Sequence, residues 1–506
     1  MTIAITNIAR LGAPAVLIAA VLFAALSPAF ADSPPEAPAA PSSATPEATS
    51  QATSALPASA PTPQQQQPFA LDLGTAVRRA IAASPDLAAV QDALAASEAS
   101  YDATLRQYAP SAVASAGYTR SSPVTGGSIT VGPQTVTLHA PPQDSTSFRL
   151  GLRQPLYSGG RIEAGIAAAS AAEGSARADA RSVRRSVASM AERAWWALVL
   201  AAESEEAVAE NYAAMKAHRA DAERRLAQGT GTKNELLSWE MQEIQAGVAS
   251  RAAATDLEAA RARLDILLGL PWNTPIDAAP PPPPALSAGI GGIDGATPST
   301  AALIDRALST RPEIDSARAR IAAQDAAEKL ARASILPSVS LTGDLVYADP
   351  NPEVIPQQEG FAFLWDVGIV ASIDVGRVPE SLAQIEAARA EASQARDSLG
   401  RVRDELTLEL VQDSFDLEKA RDSYLTSDAA VNLAEENLRV QKDRFAAGVA
   451  IASELADAEA SLLAAKLDRF RARVAWELAR AALRDAAGGD AASELSSRAA
   501  AQPQGK

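Results

Sequence analysis

The chain has 506 residues, a net charge of −16 at pH 7 and no cysteine. The missing cysteines exclude disulfides, thiol catalysis and a lipidated N-terminal cysteine, and the acidic balance argues against a nucleic-acid partner. Only 4% of residues are aromatic while alanine abounds, a composition of long, closely packed helices rather than of an ordinary globular core.

In chain order, residues 1–31 read as a secretory signal peptide: Arg10, the apolar run AVLIAAVLFAAL at 15–26, then Ala29-Phe30-Ala31 as an A-x-A cleavage site. That run is too short to span a bilayer as a helix, and no other apolar stretch is long enough to do so, so any insertion must use strands. Residues 32–69, rich in Pro, Ala, Ser, Thr and Gln, cannot bury enough apolar surface to order and are expected to form a disordered leader.

From residue 70 the chain states one plan twice, over 70–270 and 300–488, with a Pro/Gly-rich linker at 271–299 and a disordered tail at 489–506. VRRAIAASPDLAAVQDALAASEASYDATLRQYAPSAVASAGY at 77–118 returns as IDRALSTRPEIDSARARIAAQDAAEKLARASILPSVSLTGDL at 304–345, and the separation of Pro85 from Pro110 equals that of Pro312 from Pro337. RLAQGTGTKNEL at 225–236 returns as RFAAGVAIASEL at 444–455. Each copy is predicted to run helix (72–109, 299–336), β-hairpin (110–157, 337–377), long helix (161–228, 380–447) and returning helix (232–268, 450–487). The long helices would rise about 100 Å, and a leading and a returning helix end to end roughly match that length. This suggests antiparallel pairs with one continuous and one divided partner.

The strands alternate with period two. Over 364–375, Trp365, Val367, Ile369, Ala371, Ile373 and Val375 share one face, with Asp366, Gly368, Ser372 and Asp374 on the other. Phe148, Leu150 and Leu152 alternate likewise with Ser147, Arg149, Gly151 and Arg153. Apolar-out, polar-in alternation marks a barrel with lipid outside and water inside. Two hairpins are too few to close one, so closure needs several identical chains.

These residues resemble the trimeric outer-membrane efflux channels typified by TolC. The resemblance covers about 70–490 and rests on the paired proline units, on QPLYSGGR at 154–161 with its echo SIDVGR at 372–377, and on the repeated R-[LF]-A-x-G turns. It implies a mostly α fold with a membrane β part. Long antiparallel helical hairpins of a homotrimer would form an α-barrel across the periplasm, and four strands per chain would build a shared 12-stranded transmembrane β-barrel. The implied function is passive exit, by efflux or type I secretion, for substrates delivered by an inner-membrane pump of RND, ABC or MFS type and a periplasmic adaptor. The implied place is the outer membrane of a Gram-negative bacterium, in contact with its lipid. The rival reading is an exported periplasmic coiled-coil protein without a pore, which explains the helices but not a hairpin in each copy. No enzyme, cofactor or metal is expected: His139 and His218 have no nucleophile, CxxC or phosphate loop near them.

The resemblance also nominates residues. Acids six and nine positions after the second turn glycine form a pore constriction at the periplasmic tip in the type member, which places Glu454 and Asp457 in that role. Three apart, they share a helix face, and threefold symmetry would gather their carboxylates round an axis. The alternative is that acids near a helix N-terminus complement its dipole. The type member's tip is held partly by a tyrosine and an arginine where this chain has Phe445 and Ala450, so other groups, such as Lys233 or Arg444, would have to hold it; Glu235 still matches an acid of the first copy. Arg225, Leu226, Gly229, Arg444, Phe445 and Gly448 either contact the adaptor or simply shape the helix reversals. Tyr347 and Trp365 fit an aromatic girdle at the membrane interface. Trp195 and Trp196 pack between helices or face a groove.

Overall fold

The structure, a computed structural model, describes residues 69–123, 128–131, 133–137, 142–278, 299–354 and 360–489. The signal segment, the leader to residue 68, linker residues 279–298, the tail from 490 and His139 lie outside the described residues.

After the short strand β1 (Phe69–Ala70), the leading segment is two helices rather than one, α1 (Leu73–Ala83) and α2 (Pro85–Leu105). The Asp72 carboxylate accepts the Thr75 N–H at 3.0 Å and opens α1. Pro85 then stands at the first position of α2, where its missing N–H costs nothing, and the Ser84 hydroxyl accepts from Leu87 N–H at 3.2 Å. Strand β2 (Ser111–Arg120) follows Pro110, a short hairpin β3 (Ser128–Val131) and β4 (Gln134–Thr137) interrupts the loop, and β5 (Asp144–Tyr157) returns. The alternation in the sequence did not indicate that short hairpin. Gly159 and Gly160, both left-handed at φ 65° and 86°, turn the chain into α3 (Arg161–Ala227), which runs 67 residues; α4 (Lys233–Leu267) and β6 (Ile276–Asp277) complete the copy.

The second copy repeats the order as α5 (Thr300–Thr310), α6 (Pro312–Ala333), β7 (Ser338–Asp349), β8 (Ala362–Ser372), α7 (Val378–Ala446) and α8 (Ala452–Ala486). Its leading segment is again divided, at Pro312, for the same reason as the first. β8 ends sooner than the alternation predicts: Ile373 and Asp374 leave the strand, and a 3-10 turn at Val375–Arg377 replaces the paired glycines of the first copy.

Three tiers share one lateral order. The sheet runs β2–β5–β7–β8, all antiparallel. Beside it, α2 packs on α3, α3 on α6 and α6 on α7; in the farther tier α4 packs on α3, α3 on α8 and α8 on α7. The two long helices thus run through both helical tiers while their partners change, the continuous-and-divided pairing expected from the helix lengths. The largest core lies where α1, α3, α4 and α8 meet, around Trp195, Trp196, Leu71, Leu264 and Ile276. Both tryptophans are buried between helices rather than facing a groove, and Trp195 donates its indole N–H to the Leu71 carbonyl at 3.3 Å. Ile276, at the start of the predicted linker, is held in that core as β6 pairs in parallel with β1.

Candidate functional site at the paired helix turns

The α3–α4 and α7–α8 reversals share one backbone design. Gly229 and Gly448 take left-handed φ values of 75° and 74°, which a side chain would strain. Gly229 N–H donates to Leu226 O and Thr230 N–H to Arg225 O, each at 3.0 Å; Gly448 N–H donates to Phe445 O at 3.0 Å and Val449 N–H to Arg444 O at 2.9 Å. These bonds satisfy the orphan carbonyls at the helix ends.

The starts of the returning helices differ. Thr232 caps α4 by accepting the Glu235 N–H at 3.2 Å. At the matching position of α8 stands Ile451, which makes no side-chain cap and is 64% exposed beside Val449 at 69%. Exposed apolar side chains thus crowd one turn and not the other.

Glu454 and Asp457 both lie on the exposed face of α8, opposite the buried Leu455, Ala456 and Ala458. Glu454 also stands 3.6 Å from Arg444, which keeps Arg444 within its own helical pair. At the turns themselves, Arg225 reaches between the pairs. Its guanidinium lies 4.9 Å from the centre of the Phe445 ring while pairing with Asp221 at 2.9 Å and approaching Glu235 at 3.9 Å. Leu226 is half-buried beside it. Arg225, and not Arg444, makes this contact between the two turns, because Arg444 is occupied by Glu454 and by Gln441 at 3.1 Å.

Sequence reasoning missed a partly buried cluster about three helical turns inside both reversals. His218 of α3 stacks on Trp239 of α4 with ring centres 4.6 Å apart, and its Nε2 lies 3.6 Å from Glu459 of α8, which Lys442 of α7 approaches at 3.0 Å. Burial raises the Glu459 pKa, but the approach of His218 and the Lys442 ammonium outweighs it and holds the carboxyl below its ordinary range. The signal that could have found this cluster is the equal spacing of His218 from Gly229 and of Glu459 from Gly448.

At the sheet end, the register gathers most of the large apolar residues of the strands on one face. Cross-strand rows read Ala116–Phe148–Tyr347–Phe363, Ala114–Leu150–Leu345–Trp365 and Ala112–Leu152–Gly343–Val367. The opposite face carries Gly151–Asp344–Asp366 and Arg153–Thr342–Gly368. Tyr347 and Trp365 sit in adjacent rows of the apolar face, and Tyr347 stacks on Phe361 at 4.7 Å. Trp365, Val367 and Ile369 are each more than two-thirds exposed, at 68%, 67% and 69%. Among the described residues no helix is long and apolar enough to cross a membrane.

The family model for outer membrane efflux proteins matches residues 76–270 and 303–489, one block per copy. Among solved structures, the outer-membrane channel OprN superposes with a TM-score of 0.68 at 22% identity, over 83% of this chain and 90% of that one. The CmeC outer-membrane channel of Campylobacter jejuni gives 0.67 at 17% identity, over 85% and 88%. The outer-membrane protein VceC of Vibrio cholerae gives 0.67 at 17%, over 82% and 96%. A comparison with curated protein sequences finds no match.

Proposed function

Because the chain belongs to the outer membrane efflux protein family, we infer that three copies close edge to edge into one duct, through which substrates handed over by an inner-membrane pump and a periplasmic adaptor leave the cell. The observation that carries this reading is that, among the described residues, every tier ends in an open edge. In the sheet the free edges are β2 and β8. Four strands cannot close; two copies would make a barrel of about eight, which side chains fill, whereas about twelve leave room for a water-filled lumen.

The helical edges agree. On α4, Leu237 and Ile244 are 50% and 68% exposed. On α7, Val440 and Leu433 are 39% and 74% exposed. Leu237 stands as far along the chain from Gly229 as Val440 does from Gly448, and Ile244 as far as Leu433. Two apolar stripes at equal heights on opposite edges suit a head-to-tail contact, and such contacts close into rings. The apolar sheet face then meets outer-membrane lipid with Tyr347 and Trp365 in its aromatic girdle, and the signal at 1–31 directs export ahead of the leader at 32–69.

At the far end, Glu454 and Asp457 stand on a free face of α8 and serve as the acidic constriction, favouring cations. The turns carrying Arg225, Leu226, Gly229, Glu235, Arg444, Phe445 and Gly448 form the adaptor contact, the exposed Val449 and Ile451 supplying its apolar part. Conduction is passive, the energy coming from the pump.

The test is planar-bilayer conductance of the purified protein beside Glu454→Ala/Asp457→Ala. Small cation-selective steps that enlarge severalfold in the variant, with reduced cation preference, are expected. Unchanged steps place these carboxylates off the pore axis, and silence from folded trimers removes the channel reading.

A further inference from the structure

Where α3 and α8 run antiparallel, polar pairs bridge the seam at regular intervals. Glu192 meets Arg484 at 2.6 Å, Glu203 meets Arg473 at 3.1 Å, and Glu210 meets Lys466 at 3.1 Å. Each step forward along α3, from Glu192 to Glu203 to Glu210, equals the step back along α8, from Arg484 to Arg473 to Lys466, as a fixed antiparallel register demands. The next interval brings His218 to Glu459 at 3.6 Å.

This last rung differs from the others in two respects. In the first three, α3 supplies the acid and α8 a base that stays charged at neutral pH; in the fourth the polarity reverses and the base is an imidazole. It is also the rung nearest the turns, roughly 16 Å along the helices from Gly229 and Gly448.

All four helices of this tier contribute to its surroundings. Glu459 is 7% exposed and meets His218 from α3 and Lys442 from α7, at 3.0 Å. α4 offers the Trp239 ring to His218, and its acid Glu243 is paired with Arg219 at 2.7 Å. Lys442 and Glu459 belong to the same helical pair, so their contact survives any movement of that pair against α3 and α4. The His218 link crosses the seam and depends on a proton. With the imidazole charged, it attracts the carboxylate and gains from the indole face. With the imidazole neutral, 3.6 Å is too long for a hydrogen bond and Glu459 remains with Lys442 alone. Imidazole is the side-chain group that ordinarily gains and loses a proton between about pH 5 and 8.

We propose that the His218–Glu459 pair is a proton-dependent latch at the tip end of the α3–α8 seam, holding the two helical pairs together in mildly acidic medium and letting them part as the pH rises. Its consequence for the aperture rests on the channel reading above, but the parting of the pairs can be measured without ion flow.

The chain has no cysteine, so Thr230→Cys and Val449→Cys, at exposed positions of the two turns, take spin labels and nothing else does. Labelled full-length chains are diluted with unlabelled ones so that most trimers carry one pair, and pulsed-EPR distances are recorded at pH 5.5 and 8. In the native background the longer-distance fraction should rise roughly three- to tenfold between these values. His218→Gln should give the pH 8 distribution at both values, and His218→Lys the pH 5.5 distribution at both. Glu210→Gln, one rung away, should keep the native response. An unresponsive native chain, or a response that persists in His218→Gln, overturns the latch. If His218→Gln fails to assemble, the native series and His218→Lys still decide. The label distances answer for the latch and the bilayer conductance for the channel, so either can fail alone.

Discussion

Asp413 shows how one side chain can set the pH response of a helical junction. It lies beside Arg311, which opens α6 and pairs with Glu313 at 2.9 Å and Glu409 at 3.2 Å. Arg185 and Arg311 both donate to the Asp485 carbonyl. Burial first, then Glu409 and Asp416, push the Asp413 carboxyl up from 3.8 to about 6. The folded chain therefore keeps a proton that the unfolded chain has released. The stability this provides is complete below the unfolded value and is lost as pH rises through about 6. Asp413→Asn should accordingly raise the thermal midpoint at pH 7.5, with the gain vanishing toward pH 4; a constant gain at both pH values would locate the effect in packing. Asp485, also pushed up to about 6 by burial, sharpens the same response.

At the scale of elements, the duplication makes each copy a control for the other. Thr232 and Ile451 occupy the same place after Gly229 and Gly448, and one caps its helix while the other does not. Replacing Ile451 with threonine should stabilise α8 by about 1 kcal/mol. If Ile451 is retained to meet the adaptor, the same variant should lose adaptor-dependent export in a complementation assay while assembling normally. Full export with raised stability would remove Ile451 from that contact. The helices were legible because prolines, glycines and caps act on their immediate neighbours: Pro110, Pro337, Gly229 and Gly448 each mark a boundary. The division of the leading segments was not read, because Ser84–Pro85 and Arg311–Pro312 interrupt a periodicity that continues on both sides. The β3–β4 hairpin escaped because its strands are too short for alternation to stand out.

For the whole molecule the open edges govern. Ile244→Glu places a charge in the exposed α4 stripe, opposite no partner among the described residues, so it should spare the monomer's fold and abolish heat-modifiable trimers in the outer-membrane fraction. Trimers that persist would move the contact elsewhere. Membrane placement has its own test. Trp195, Trp196, Trp239 and Trp476 are buried among helices and Trp272 lies in the turn between α4 and β6, away from the four-stranded sheet, so quenching by brominated lipid should fall sharply in Trp365→Phe. Undiminished quenching would take the apolar sheet face out of the bilayer.

The sequence by itself determined the two-copy plan, the helix and strand types and the family, because period, punctuation and repetition are local properties of the chain. Tertiary structure alone decided which residues meet. Glu203 and Arg473 lie in different copies, far apart in the chain, and nothing near either announces the other. Arg225 reaches Phe445, and His218 reaches Glu459, because α3 and α8 pack in one register; a slip of a turn would leave the same sequence with different partners. The role of such side chains belongs to packing between helices, which no periodicity within one helix can specify.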